Sequence, residues 1–163
     1  MIELNDLKQY SLFGGIVDAD LALIRSLLKP VHCAVGEVLM REGERGDRLF
    51  FLLEGEVEIL VTDASDPAKG QQRVATLSAG ETVGEMELID IQPRMATVRA
   101  LTEVSAVYLT NKDLFTIKNS HLETFTLIIM NLARDISRRL RHMDRQVVQE
   151  RHQHTEATLK KPL

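Results

Sequence analysis

Gly84-Glu85-Met86-Glu87-Leu88-Ile89-Asp90-Ile91-Gln92-Pro93-Arg94-Met95-Ala96-Thr97 packs a Gly-Glu turn, one helical turn, a Pro-Arg pair and a return to strand into fourteen residues. Such a cassette supplies what a small phosphorylated ligand needs. A helix start offers unpaired N–H groups and a partial positive charge, which favour an anion. Arg94 offers a planar fork of donors that matches phosphate oxygens. Glu85, acceptor-only when ionised, suits a sugar hydroxyl and repels a phosphate placed against it. The stretch therefore reads as sugar on Glu85 and phosphate on Arg94 and the turn amides. Gly84 serves the backbone turn first and gives its N–H to a ligand second.

Outward from the cassette, glycines at 36, 43, 46, 55, 70, 80 and 84 recur about every ten residues. Between them lie short apolar runs: Val38–Met40, Leu49–Leu53, Val57–Val61, Val74–Leu77, Met95–Leu101 and Val104–Leu109. Short strands with regular turn signals predict a mainly β fold, an eight-stranded β-roll of jelly-roll type. Residues 63–72, with Asp66-Pro67 and Lys69-Gly70, form the loosest loop. Ahead of the roll, residues 18–29 predict a short helix: Asp18 caps it, Leu21, Ile24, Leu27 and Leu28 share a face, and Pro30 ends it.

The cassette, with the run Gly36-Glu37-Val38-Leu39-Met40-Arg41-Glu42-Gly43-Glu44 and the run Asp47-Arg48-Leu49-Phe50-Phe51-Leu52-Leu53-Glu54-Gly55-Glu56-Val57, resembles the cyclic-nucleotide-binding domain family. This is the β-roll of catabolite activator protein and of protein kinase A regulatory subunits. The resemblance covers about residues 12 to 145 and implies a β-roll with a short N-terminal helix, a short cassette helix and a long C-terminal helix. It implies that Arg94 and the backbone of Met86, Glu87 and Ala96 hold the phosphate, and that Glu85 and Gly84 hold the ribose. It brings Arg138 and Arg139 of the last helix, with Met143 close by, to the base. It implies a regulatory module that senses cAMP in the roll and relays the signal through that helix. Met95 lacks the hydroxyl that accompanies cGMP preference in the family, which leans the reading to cAMP with cGMP as the other candidate. Glu87 stands where the family usually carries a small residue, and it motivates the alternative, a ligand-free structural or dimerisation domain of the same fold. Val74, Leu77, Val83 and Val98 are either pocket lining or plain core.

Residues 1–110 hold the N-terminal helix and the roll, with the cassette at 84–97; residues 111–150 read as helical, and 151–163 as a polar, disordered tail. Leu122, Phe125, Ile129, Leu132, Ile136, Leu140, Met143 and Val147 recur at alternating spacings of three and four, one step irregular. A seam of this length predicts a homodimer through helix 122–148, against the alternative of a helix folded back on its own domain.

Residues 1–121 hold 12 Lys and Arg against 19 Asp and Glu, and residues 122–163 hold 8 against 5. An acidic body is a poor grip for DNA or anionic membrane, and no recognition-helix pattern follows Glu150. The expectation is no DNA or membrane partner for this chain alone. No run reaches the ~18 apolar residues of a membrane span. Cys33 alone excludes an internal disulfide, reads as a small buried hydrophobe, and suits a cytoplasmic location. The five histidines show no ligand spacing, and no nucleophile–base pair or Gly-Lys-Ser/Thr loop occurs, so no metal, no catalytic residue and no enzyme are expected.

Overall fold

The computed structural model describes residues 2–63, 65–86 and 92–159, and for 67 and 142–159 the backbone alone. The order is α1 (Leu4–Leu7), a 3-10 turn (Ser11–Phe13), α2 (Asp18–Leu27), β1 (Lys29–Cys33), β2 (Val38–Met40), β3 (Arg48–Glu54), β4 (Glu56–Thr62), β5 (Gln71–Ser78), β6 (Thr82–Val83), β7 (Thr97–Ala100), β8 (Val104–Thr110), α3 (Asn111–Ser120) and α4 (Leu122–Leu159). The strands form two antiparallel sheets, β1-β8-β3-β6 and β2-β7-β4-β5. This is the predicted eight-stranded roll. Residues 87–91, the middle of the cassette in which one helical turn is expected, lie outside the described residues.

The first sheet is covered on both faces, which explains why β3 reads as an unbroken apolar run. Phe50 and Leu52 point inward and join Val57, Val98, Ala100, Val104 and Ala106 between the sheets. Leu49 and Phe51 point outward and, with Val107 and Leu109, meet Leu7, Phe13, Leu21, Ile24, Ile117, Ile128 and Leu132 of the helices. Alternate side chains of one strand thus serve two cores. Phe51 stacks on Phe13 at 5.0 Å between centroids and takes the edge of Tyr10 at 5.2 Å. The Tyr10 hydroxyl donates to the Leu52 carbonyl at 2.5 Å, and burial, helped by Asp6, pushes its pKa up to about 12.

Four sequence expectations change. Asp18 is not a cap: the N-cap is Val17, and Asp18 sits in the first turn, paired with Lys8 at 2.7 Å. Pro30 does more than end a helix. It lies inside β1, which tolerates a missing N–H because it pairs only with β8 and is a sheet edge. Strand β7 starts at Thr97, two residues later than expected, with Met95 and Ala96 in a bend. Helix α4 runs on to Leu159, past the expected end near Glu150, because no Gly or Pro interrupts residues 122–161.

The apolar seam divides. Phe125, Leu132 and Ile136 pack on the chain's own helical core, joined by Ile128, while Leu122 and Leu140 remain exposed. Through Ile136 the folded-back alternative describes the helix. The physical reason is that the N-terminal helices offer an apolar surface the seam reading did not supply. Side chains of Met143 and Val147 lie outside the described residues. A polar staple fixes the contact: buried Asn131 donates to the Leu12 and Gly14 carbonyls at 3.0 and 2.9 Å.

At the junction of roll and helices, Asp113 accepts from Lys29 Nζ at 2.8 Å and from the Thr110 hydroxyl and amide at 2.6 and 2.8 Å. Burial pushes its pKa up, but these donors outweigh burial and hold it below the usual carboxylate value. A depressed folded-state pKa gives stability that is present above the unfolded value of about 3.9 and lost as pH falls through the folded one. Asp113→Asn should therefore cost about 1–2 kcal/mol at pH 7. That cost should shrink towards pH 3 in urea unfolding; a pH-independent cost would show that charge is not involved.

Candidate functional site

Arg94 enters the site from the approach to β7, and its backbone is fixed first. Its N–H donates to Glu44 O at 2.8 Å and its carbonyl accepts from Gly43 N–H at 2.9 Å, which ties it to the β2–β3 turn. The side chain is 5% exposed, with Nη2 donating to Arg48 O at 2.9 Å and Nη1 to Gly84 O at 3.4 Å. A buried charge needs such partners. Two glycines make the space. At Gly46 a Cβ would overlap the Arg94 guanidinium, and at Gly84 it would stand 2.7 Å from Arg94 Nη1 and 2.7 Å from Arg48 O. Gly84 also has φ +88°, which a side chain resists.

Glu85 follows directly and is 5% exposed. Its Oε1 accepts from Arg139 Nη1 of α4, while Arg139 Nη2 donates to Thr82 O at 3.1 Å. The residues read for ribose and base are thus brought together, paired with each other. Arg138 instead pairs with Asp135 one turn back at 2.9 Å, and both arginines line a cleft of about 220 Å³ beside Tyr10, Ser11 and Thr82. Met86 is 42% exposed and Ala96 is half-buried; Glu87 lies outside the described residues.

Of the four apolar candidates, Val83 and Val98 are buried between the sheets and Leu77 packs partly against them, whereas Val74 is exposed on β5. Cys33 is buried as expected, and burial together with Glu37 raises its thiol pKa. No group of side chains able to hold a metal occurs among the described residues. None of the described helices is long and apolar enough to cross a membrane.

Sequence reading missed Gly46, whose role shows only once the Arg94 side chain is placed; its one signal was a glycine in Arg45-Gly46-Asp47 just three residues after Gly43. It also missed the Glu85–Arg139 pair, which joins residues 54 positions apart.

A family profile described as cyclic nucleotide-binding domain matches residues 30–121. A cyclic nucleotide-gated potassium channel of Rhizobium etli is 38% identical over 112 residues, 69% of this chain and 29% of the channel. A cAMP-dependent protein kinase regulatory subunit of Emericella nidulans is 32% identical over 103 residues, 63% of this chain and 24% of that protein. This chain thus spans less than a third of the length of either relative. Among solved structures, the N-terminal domain of a transcriptional regulator from Streptomyces coelicolor A3(2) aligns with a TM-score of 0.72 at 32% identity, covering 85% of this chain and 94% of that one.

Proposed function

The chain belongs to the cyclic nucleotide-binding domain family, and from that premise we propose that it is a cAMP-sensing module. Arg94 and the amides of Met86, Glu87 and Ala96 receive the cyclic phosphate, and Glu85 with Gly84 receives the ribose. The observation that carries the reading is the placement of Arg94. A buried guanidinium is held between two glycines, Gly46 and Gly84, and the residue after Gly84 is the buried carboxylate Glu85. The preference for cAMP over cGMP rests on Met95, which lacks a hydroxyl, and on likeness to the regulatory subunit of a cAMP-dependent kinase.

The relay follows from the Glu85–Arg139 pair. Ribose hydroxyls compete with Arg139 for the same carboxylate, so ligand entry releases that stretch of α4, and Arg138 and Arg139 become available to cover the base. Such a shift requires the ligand to prefer the released arrangement; tight binding to both arrangements alike moves nothing. Exposed Leu127, Met130 and Leu140 on α4 support a homodimer through helix 122–148, which would pass the change to a second copy. The module works in the cytoplasm, without catalysing a reaction and without gripping DNA or membrane by itself.

Calorimetric titration with cAMP and cGMP tests the reading, and absence of binding at millimolar ligand would sink it. The second reading, a ligand-free domain, is favoured by the same ion pair, because Glu85 is satisfied without any ligand. Arg139→Gln separates the two. Removing the competitor should tighten cAMP binding about 3- to 10-fold. Weaker binding would instead mean that the Arg139 contact to the base outweighs its competition for Glu85, and no binding in either protein would favour the second reading.

A further inference from the structure

The segment 41–48 around the β2–β3 turn is charge-balanced, three arginines against Glu42, Glu44 and Asp47, but Glu42 is turned away to accept from the Thr62 amide and hydroxyl. Arg41, Arg45 and Arg48 surround a cleft of about 240 Å³ whose inner wall includes the buried Arg94 guanidinium. Among the described residues Glu44 and Asp47 also line it, against three outer guanidinium groups and that of Arg94, which is already engaged by the Arg48 and Gly84 carbonyls. Those carboxylates are loosely engaged: Arg41 Nε lies 3.6 Å from Glu44, and Arg48 Nε lies 3.9 Å from Asp47. Arg48 spreads over the Tyr108 ring at 4.7 Å, which fixes its plane. Arg45 makes no ion pair to a described residue. Gly46 keeps the inner wall open, since a Cβ there would overlap the Arg94 guanidinium.

We propose that this cleft binds a compact polyanion of the diphosphate class. The cleft is smaller than the ~300–1,000 Å³ of sites for drug-sized ligands, so it suits a small ligand. Several planar forks converging from different sides match the many oxygens of a diphosphate better than a single carboxylate. The cleft shares Arg94 with the nucleotide reading, but its lining includes Gly46 and neither Gly84 nor Glu85, and neither Arg41 nor Arg45 belongs to the proposed nucleotide contacts.

The test is calorimetric titration of the full chain with sodium diphosphate, at fixed chloride and without divalent cations. Wild-type protein should bind saturably, with Kd of about 0.1–1 mM. The double variant Arg41→Gln/Arg45→Gln, both exposed positions, should weaken that binding at least about 10-fold. Its melting temperature and cAMP titration should match wild type. Titration with ADP tells whether the diphosphate is carried by a nucleotide: ADP binding lost in the same variant supports the site with that ligand. Diphosphate binding that survives the double substitution, or none up to about 10 mM, overturns the proposal. Neither result depends on whether cAMP binds.

Discussion

Arg94→Ala is expected to weaken cAMP binding by roughly 30- to 1000-fold, the loss of a charge-assisted contact worth about 2–4 kcal/mol. The side chain also has a structural share. Its donors serve the carbonyls of Arg48 and Gly84, and its bulk fills the space between Gly46 and Gly84. Truncation leaves those carbonyls without these donors and should cost a further ~1–3 kcal/mol of folding stability. Calorimetry and a urea melt on the same preparation keep the effects apart, because Arg94→Lys restores the charge without the fork. Partial recovery of affinity by lysine points to charge, and none points to geometry. Unchanged affinity in the alanine variant would place the phosphate elsewhere.

Phe51→Ala should cost about 3–5 kcal/mol, the range for emptying a fully buried aromatic site. Phe51 has no exposed surface and is clasped by Phe13 and Tyr10. Its ring is what the N-terminal helices rest on, so the cavity cannot close without moving them. Against the ~5–15 kcal/mol total of a typical domain, that loss is a large fraction. The check is the urea midpoint, with exposed Phe115→Ala as control, expected within about 0.5 kcal/mol of wild type. A loss at Phe51 no larger than the control's would mean that the helices do not bear on the sheet in solution.

The roll was legible because its strands are short, apolar and cut by glycines at a regular interval, and period and punctuation are local properties. Leu49 to Leu53 could be read as a strand from the run alone, but not that its alternate residues feed two cores; that depends on helices far away in sequence. Pro30 was misjudged for a similar reason, since whether a strand lies at an edge is decided by its neighbours. The seam of α4 has the right spacing for a partner helix, and periodicity does not say whose apolar surface it meets. In the candidate site, Gly84, Glu85 and Arg94 stood out because they fall in one stretch. Gly46 and the Arg139 contact did not, because each acts across a long loop of sequence on a residue that only folding brings near.

The Asn131 staple has a mechanical corollary. With α4 pinned there to the 3-10 turn, and with Ile136 still seated on the core, sliding the rod along its axis would strip both anchors at once. If the proposed release at Glu85 moves α4, that motion should therefore take the form of a bend beyond Ile136. From Arg139 to Leu159 the rod is about 30 Å long at ~1.5 Å per residue, so a tilt of ~10° at its root sweeps the tip by about 5 Å. Under the proposed relay, a small disturbance at the mouth of the roll would become a displacement of a few ångströms at the far end, by leverage alone.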